Sequence, residues 1–124
     1  MGKVFVNLSN HASVNWQKEQ REAAEKYGEI VDVPFPYVSS LFSEADIDAI
    51  GKETVKKITE MDPTAVMCQG EFTLTYRIVT ELLKKGIPCV AACTERIARE
   101  IVSEDGTILK TSEFRFVRFR NYDL

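Results

Sequence analysis

The chain has one histidine, one tryptophan and three cysteines among 124 residues, and each scarcity excludes something. A single histidine with no paired CxxC leaves no ligand set for a structural zinc. Cys68, Cys89 and Cys93 are odd in number and do not form a disulfide framework; kept reduced, they act as small buried hydrophobes. No apolar run approaches the ~20 residues of a membrane span. The opening MGKVFVNLSN is too short and too polar for a secretory leader. Basic excess is missing as well: 16 Lys and Arg against 19 Asp and Glu give a net charge of −3, which argues against binding long duplex DNA. GxGxxG, GxxxxGKS/T and GxSxG do not occur, so dinucleotide, P-loop and hydrolase-elbow chemistries fail. The expectation is a cytoplasmic protein with no metal, no cofactor and no membrane contact.

What is present is an ordinary globular composition, 44% hydrophobic and 28% charged, enough for one domain over residues 1–124. Lys3 to Leu8 reads as a strand, broken by Ser9-Asn10-His11-Ala12-Ser13, with Ser13 as the expected N-cap of a first helix. Trp16, Gln20, Ala23, Ala24 and Tyr27 share that helix's face, and Gly28 stops it. Glu29 to Val33 is a second strand closed by Pro34-Phe35-Pro36. Ser43 caps a second helix carrying Ile47, Ile50, Val55, Ile58 and Met61. Ala65 to Cys68 is the third strand. A third helix follows, with Phe72, Leu74, Ile78, Val79, Leu82 and Leu83 on its buried side. Pro88 to Ala92 is the fourth strand. The β-α-β-α-β-α-β order predicts an α/β fold, a mainly parallel sheet with helices on both faces.

The last 30 residues are ambiguous. Ile97, Ala98, Ile101 and Val102 match helical spacing, whereas Asp105-Gly106 signals a hairpin. Phe114 to Arg120 is a strand whose alternation slips near Val117-Arg118, as a β-bulge or a strand covered on both sides would produce. The expected outcome is a C-terminal β-hairpin at the sheet edge.

In such sheets ligands bind beyond the carboxyl ends of the strands. Those exits collect Ser9, Asn10, His11 and Ser13, then Gln69, Gly70, Glu71 and Thr73, then Thr94, Glu95 and Arg96. His11 suits general acid or base work near neutral pH, or it is a loop residue bonded to a neighbouring carbonyl. Ser9, Asn10 and Ser13 suit a phosphate at a helix start, or simple turn and cap chemistry. Glu71 competes for its own helix terminus and suits a ribose hydroxyl or first-turn stabilisation. Arg96 offers a planar fork for phosphate, or pairs with Glu95 or Glu100. Arg115, Arg118 and Arg120 interleave with Phe114, Phe116 and Phe119; an edge strand explains this better than base stacking. Cys93 stands where a nucleophile would, with no histidine paired to it.

The opening strand followed by Asn10-His11-Ala12-Ser13 and Trp16 resembles that of small CRISPR-associated proteins of the Rossmann-like group that includes ring nucleases and CRISPR-associated sensor domains. Ala12 departs from the Pro that related openings often carry, and a basic cluster is missing. The resemblance implies a Rossmann-like three-layer domain forming a homodimer around a cyclic oligoadenylate second messenger. It further implies that Ser9, Asn10, His11, Ser13, Gln69, Gly70, Thr73, Thr94, Glu95 and Arg96 line the ligand. His11 and Arg96 would then carry a metal-independent ring cleavage. A non-catalytic nucleotide sensor, or a small enzyme acting on a mononucleotide or nucleoside with Glu71 or Glu95 as its carboxylate, stands as the alternative.

Overall fold

A computed structural model describes residues 2–124. Five strands form one sheet in the order β2-β1-β3-β4-β5, with β1 Val4–Ser9, β2 Glu29–Pro34, β3 Ala65–Cys68, β4 Cys89–Val102 and β5 Ile108–Asn121. The first four run parallel and β5 returns antiparallel to β4, so the fold is α/β with a mostly parallel sheet and a C-terminal hairpin. Among the described residues no helix is long and apolar enough to cross a membrane.

Strand alternation divides the core between the two faces. On one side Val6, Leu8, Val66 and Cys68 meet Ile47, Val55 and Ile58 of α2 (Glu44–Glu60) and Leu74, Ile78 and Leu82 of α3 (Phe72–Lys84). On the other, Phe5, Ala65, Met67 and Val90 pack with Ala24 of α1 (Lys18–Glu25) and with Trp16, Tyr27 and Phe119. Phe5 lies at the centre of that aromatic group, 5.5 Å from Tyr27, 5.3 Å from Phe119 and 6.5 Å from Trp16. A fully buried side chain of this size stabilises by about 1.5–3 kcal/mol.

Local signals account for most boundaries. Ser43 and Asp46 form a reciprocal capping box at the start of α2, Ser43 Oγ accepting from the Asp46 N–H and Asp46 Oδ2 from the Ser43 N–H. Gly86, at φ 78°, stops α3 in the left-handed region that glycine tolerates.

Three expectations need correction. Ser13 does not cap α1: a 3-10 turn over Ser13–Asn15 intervenes and the helix begins at Lys18. Trp16 accordingly sits at the end of that turn and not on the helix face. Phe72 opens α3 but is 90% exposed, because the buried stripe begins at Leu74. The ambiguity over residues 95–102 resolves as strand, in the expected hairpin: eight register pairs with β5, from Glu95–Arg115 to Val102–Ile108, outweigh the helical spacing of the aliphatics. The slip in β5 is a bulge: Cys93 pairs with Arg118 and Thr94 with Phe116, leaving Val117 extra. It turns Phe116 and Phe119 to the same face, where their rings meet at 5.0 Å.

All three cysteines are free thiols. Burial pushes Cys68 and Cys89 from the ordinary 9.0 up to about 12, whereas Cys93 is half-exposed. Native protein is expected to react at Cys93 alone with a thiol reagent at pH 8, and at all three sites after unfolding. The fold holds these two protons more tightly than the unfolded chain does. Their contribution to stability is therefore intact below pH 9.0 and falls as pH climbs toward 12. Rapid native labelling of Cys68 or Cys89, followed by mass spectrometry, would contradict this.

Candidate functional site

The chain steps from β1 outward to β2, then back across to β3 on the other side. The loops leaving β1 and β3 consequently diverge and open a crevice between the carboxyl ends of those two strands. Ser9-Asn10-His11 borders it on one side and Gln69-Gly70 on the other.

The β1 exit loop is held by its own backbone. The His11 carbonyl accepts from Asn7 Nδ2 at 2.8 Å and from the Trp16 indole N–H at 3.2 Å, and the His11 N–H donates to Ser9 Oγ at 3.2 Å. Ser9 Oγ in turn donates to Asn7 Oδ1 at 2.6 Å. Asn7 therefore has both ends of its amide engaged while buried in the middle of a strand, which is how a buried amide avoids its desolvation cost. Its other amide proton reaches Asp32 Oδ1 at 2.9 Å, the register neighbour in β2. Asp32 also accepts from the Ser13 N–H and hydroxyl, at 3.2 and 3.1 Å to Oδ2. Ser13 is thus an anchor for the loop. Among the described residues every bond to His11 engages its backbone, so the exposed imidazole is left free of them on a fixed support.

Two cavities flank that support. One, of about 320 Å³, is lined on the α1 side by Ser9, His11, Trp16, Gln20, Gln69 and Thr94. The other, of about 340 Å³, is bounded by Asn10, His11, Gln69, Gly70, Thr75 and Tyr122. His11 and Gln69 belong to both. Gln69 also secures the sheet, its Oε1 accepting from the Ala92 N–H of β4, which leaves its amide protons for a ligand. The Tyr122 hydroxyl donates to the Cys68 carbonyl at 2.8 Å and closes the far wall. Gly70 faces the buried Phe35 ring, not the open crevice: a Cβ built there would stand 2.5 Å from three ring carbons. Gly70→Ala is expected to cost about 1–3 kcal/mol by overpacking and to lower Tm by roughly 3–10 °C. An unchanged melting curve would show that Phe35 moves aside freely.

The remaining expected residues lie elsewhere. Glu71 is the N-cap of its own helix: Oε1 accepts from the Leu74 N–H at 2.8 Å and from the Thr73 hydroxyl at 2.7 Å. The Leu74 N–H and then the Thr73 hydroxyl hold its carboxyl below the ordinary carboxylate value. That terminus is occupied by an internal carboxylate, and Glu71 and Thr73 open into a separate groove of about 520 Å³ beside Val38, Phe42 and Tyr76. Glu95 and Arg96 are exposed on the projecting part of β4 and line neither crevice cavity. Arg96 makes one long bond, 3.5 Å to Ser112 Oγ. The structure therefore gathers Ser9, Asn10, His11, Gln69, Gly70 and Thr94 around the crevice, anchors Ser13 behind it, and sets Glu71, Thr73, Glu95 and Arg96 apart.

Two contributors escaped the sequence reading, and a third, Asn7, is legible there only as a polar residue at the end of the first strand. Asp32 lies inside β2, where its one signal is a polar residue within a strand pattern. Gln17 bridges α1 to the hairpin, donating to the Phe114 carbonyl at 2.7 Å and accepting from the Phe116 N–H at 2.9 Å.

Comparison with known proteins places the chain without adding an activity. A protein of Methanocaldococcus jannaschii described as "Uncharacterized protein MJ1673" is 36% identical over 58 residues, which cover 47% of this chain and 44% of that protein. The matched stretch is thus less than half of the relative's length. No solved structure matches the chain. The family model described as the Uncharacterized protein MJ1673 family matches residues 3–120, and the chain belongs to that family.

Proposed function

We propose that the crevice between β1 and β3 binds a cyclic oligoadenylate and opens it without a metal, in a cytoplasmic homodimer serving CRISPR-associated antiviral defence. The observation that carries the catalytic part is the free imidazole of His11, standing between two cavities on a loop whose backbone is fixed by Asn7, Ser9 and Trp16. The mostly parallel sheet with helices on both faces supports reading the fold as a Rossmann-like three-layer domain, although the strand order β2-β1-β3-β4-β5 is not a clean Rossmann pattern. The ring ligand comes from the resemblance of the Asn10-His11-Ala12-Ser13 opening, and a two-fold ring suits a two-fold pair of chains.

The chemistry needs only positioned groups. A ribose 2′-oxygen attacks the adjacent phosphorus as the bond from phosphorus to the 5′-oxygen breaks, leaving a 2′,3′-cyclic phosphate and a 5′-hydroxyl. His11 takes the 2′-hydroxyl proton or delivers one to the departing oxygen. Holding the attacking and leaving oxygens in line supplies much of the acceleration. The Gln69 amide and Thr94 hydroxyl are placed to hold ribose or base, whereas Arg96 stands too far along β4 to take the phosphate-binding role expected of it within one chain.

The test is incubation with cyclic tri-, tetra- and hexa-adenylate in EDTA, followed by chromatography. Linear products are the expected result. Intact rings with a raised Tm would support a sensor in place of a nuclease, and intact rings with no thermal shift would end the cyclic-oligoadenylate reading.

A further inference from the structure

Beyond Val90, which pairs with Met67, β4 parts from β3 and continues with β5 alone. The result is a two-stranded ribbon that rises past the carboxyl edge of the sheet. At about 3.3 Å per residue its free part, residues 97–102 against 108–113 beyond the Gln17 bonds to Phe114 and Phe116, extends for about 20 Å. Every residue from Ala98 to Arg115 is exposed. A lone two-stranded hairpin is marginal in water, and this one presents two open edges as well.

The distal part is also apolar. Ile101 lies opposite Leu109 and Val102 opposite Ile108, and all four side chains are more than half exposed. The first pair lies on one face of the ribbon and the second on the other, as alternation requires. Apolar pairs on both faces of a projecting arm favour burial against a surface.

The charge pattern selects the occupant. Between residues 94 and 116 the arm carries four cations (Arg96, Arg99, Lys110 and Arg115) against five carboxylates. Nucleic acid or an anionic lipid surface would call for a basic excess, and Glu104 and Asp105 place carboxylates at the tip. Near-balanced, interspersed charge suits a second copy of the same arm: Arg99 and Arg115 already share Glu113 of their own chain, at 3.6 and 3.5 Å, and Arg96 and Lys110 have Glu95, Glu100, Glu104 and Asp105 of a two-fold mate to meet. A standard interface enlists roughly 20–30 residues a side, and the arm by itself supplies most of such a patch.

We propose that the β4–β5 arm is the dimerisation element of this protein and that a second copy of the chain buries its distal aliphatic pairs. This deepens the homodimer named above and rests on that part of the reading; it does not depend on which ligand occupies the crevice.

The test compares wild type with two double variants by sedimentation velocity, in the absence of ligand. Ile101→Glu with Leu109→Lys, and Val102→Glu with Ile108→Lys, each replace an apolar cross-strand pair by an opposite-charge pair, which keeps the hairpin paired while removing its apolar surface. Wild type is expected at twice the 14.1 kDa chain mass at micromolar concentration. At least one variant is expected to weaken dimerisation by roughly 30-fold or more. Hydrogen exchange at β1 and β3 checks that each variant retains the fold, and arm amides should lose protection in the variant that dissociates. A dimer indifferent to both variants would overturn the arm proposal while leaving the two-fold reading in place. A monomeric wild type would overturn both, and ring opening by that monomer would leave the catalytic reading standing.

Discussion

His11→Ala is expected to reduce ring opening by about 10²–10⁴-fold, the range that a positioned acid or base supplies, with Tm unchanged. The substitution is unusually clean because all the bonds that hold residue 11 use its N–H and carbonyl, which alanine retains. The imidazole is exposed and makes no hydrogen bond among the described residues, so its removal leaves no buried partner unsatisfied. Turnover and a thermal melt on the same preparation separate chemistry from folding. Undiminished cleavage would remove His11 from the mechanism. Loss of cleavage together with a large fall in Tm would mean that the side chain supports the loop after all, contrary to the geometry.

The second large effect is expected at a residue that reaches the crevice only through the loop. Asn7→Ala removes the donor to the His11 carbonyl, the donor to Asp32 and the acceptor of the Ser9 hydroxyl in one step. The Ser9 side chain is buried and loses its 2.6 Å partner, and a small cavity opens on the α1 side. Together these cost about 2–3 kcal/mol, or roughly 6–12 °C in Tm for a chain of this size. Asn7 is a positioning residue, so the His11 loop should suffer beyond the global loss. Hydrogen exchange at the His11 amide is expected to accelerate more than exchange in β3, and activity should fall even at temperatures where the variant is fully folded. Uniform acceleration across both segments would show that Asn7 merely contributes stability. Asp32→Asn should be milder, because that carboxylate is exposed and water replaces its lost contacts.

These two residues mark the limit of sequence reading here. His11 was visible as the one histidine in a polar loop between an apolar strand and a helix. The role of Asn7 was not, because a polar residue at the end of a strand has no assigned task until its partners are known, and Asp32 lies 25 positions away. Glu71 shows the reverse case. Its place before a helix leaves a ribose contact and first-turn stabilisation both open, and the carboxylate reaches the Leu74 N–H and the Thr73 hydroxyl from within its own turn. Capping at this range is legible in principle, since it involves residues two and three positions apart. Gly70 stands at the same exit, and the neighbour that needs its missing side chain is Phe35, brought there from the β2 exit.

Short-range physics was enough for the element order. Apolar strands alternating with amphipathic helices, the Ser43 cap, the prolines after β2 and the glycine after α3 specify a parallel α/β sheet without reference to distant residues, and the chain folds that way. The slip in alternation at Val117 likewise announced a bulge, because pleating imposes a period of two on every strand. Long-range pairing settled the rest. Residues 95–102 carry aliphatics that fit a helix as well as a strand, and the partner strand arriving from 108–116 decides between them by satisfying the ladder. The same pairing carries Glu95 and Arg96 away from the crevice, while strand order brings the β1 and β3 exits together around His11. Spacing along the chain records local periodicity, whereas the meeting of side chains across a sheet depends on which strand lies beside which.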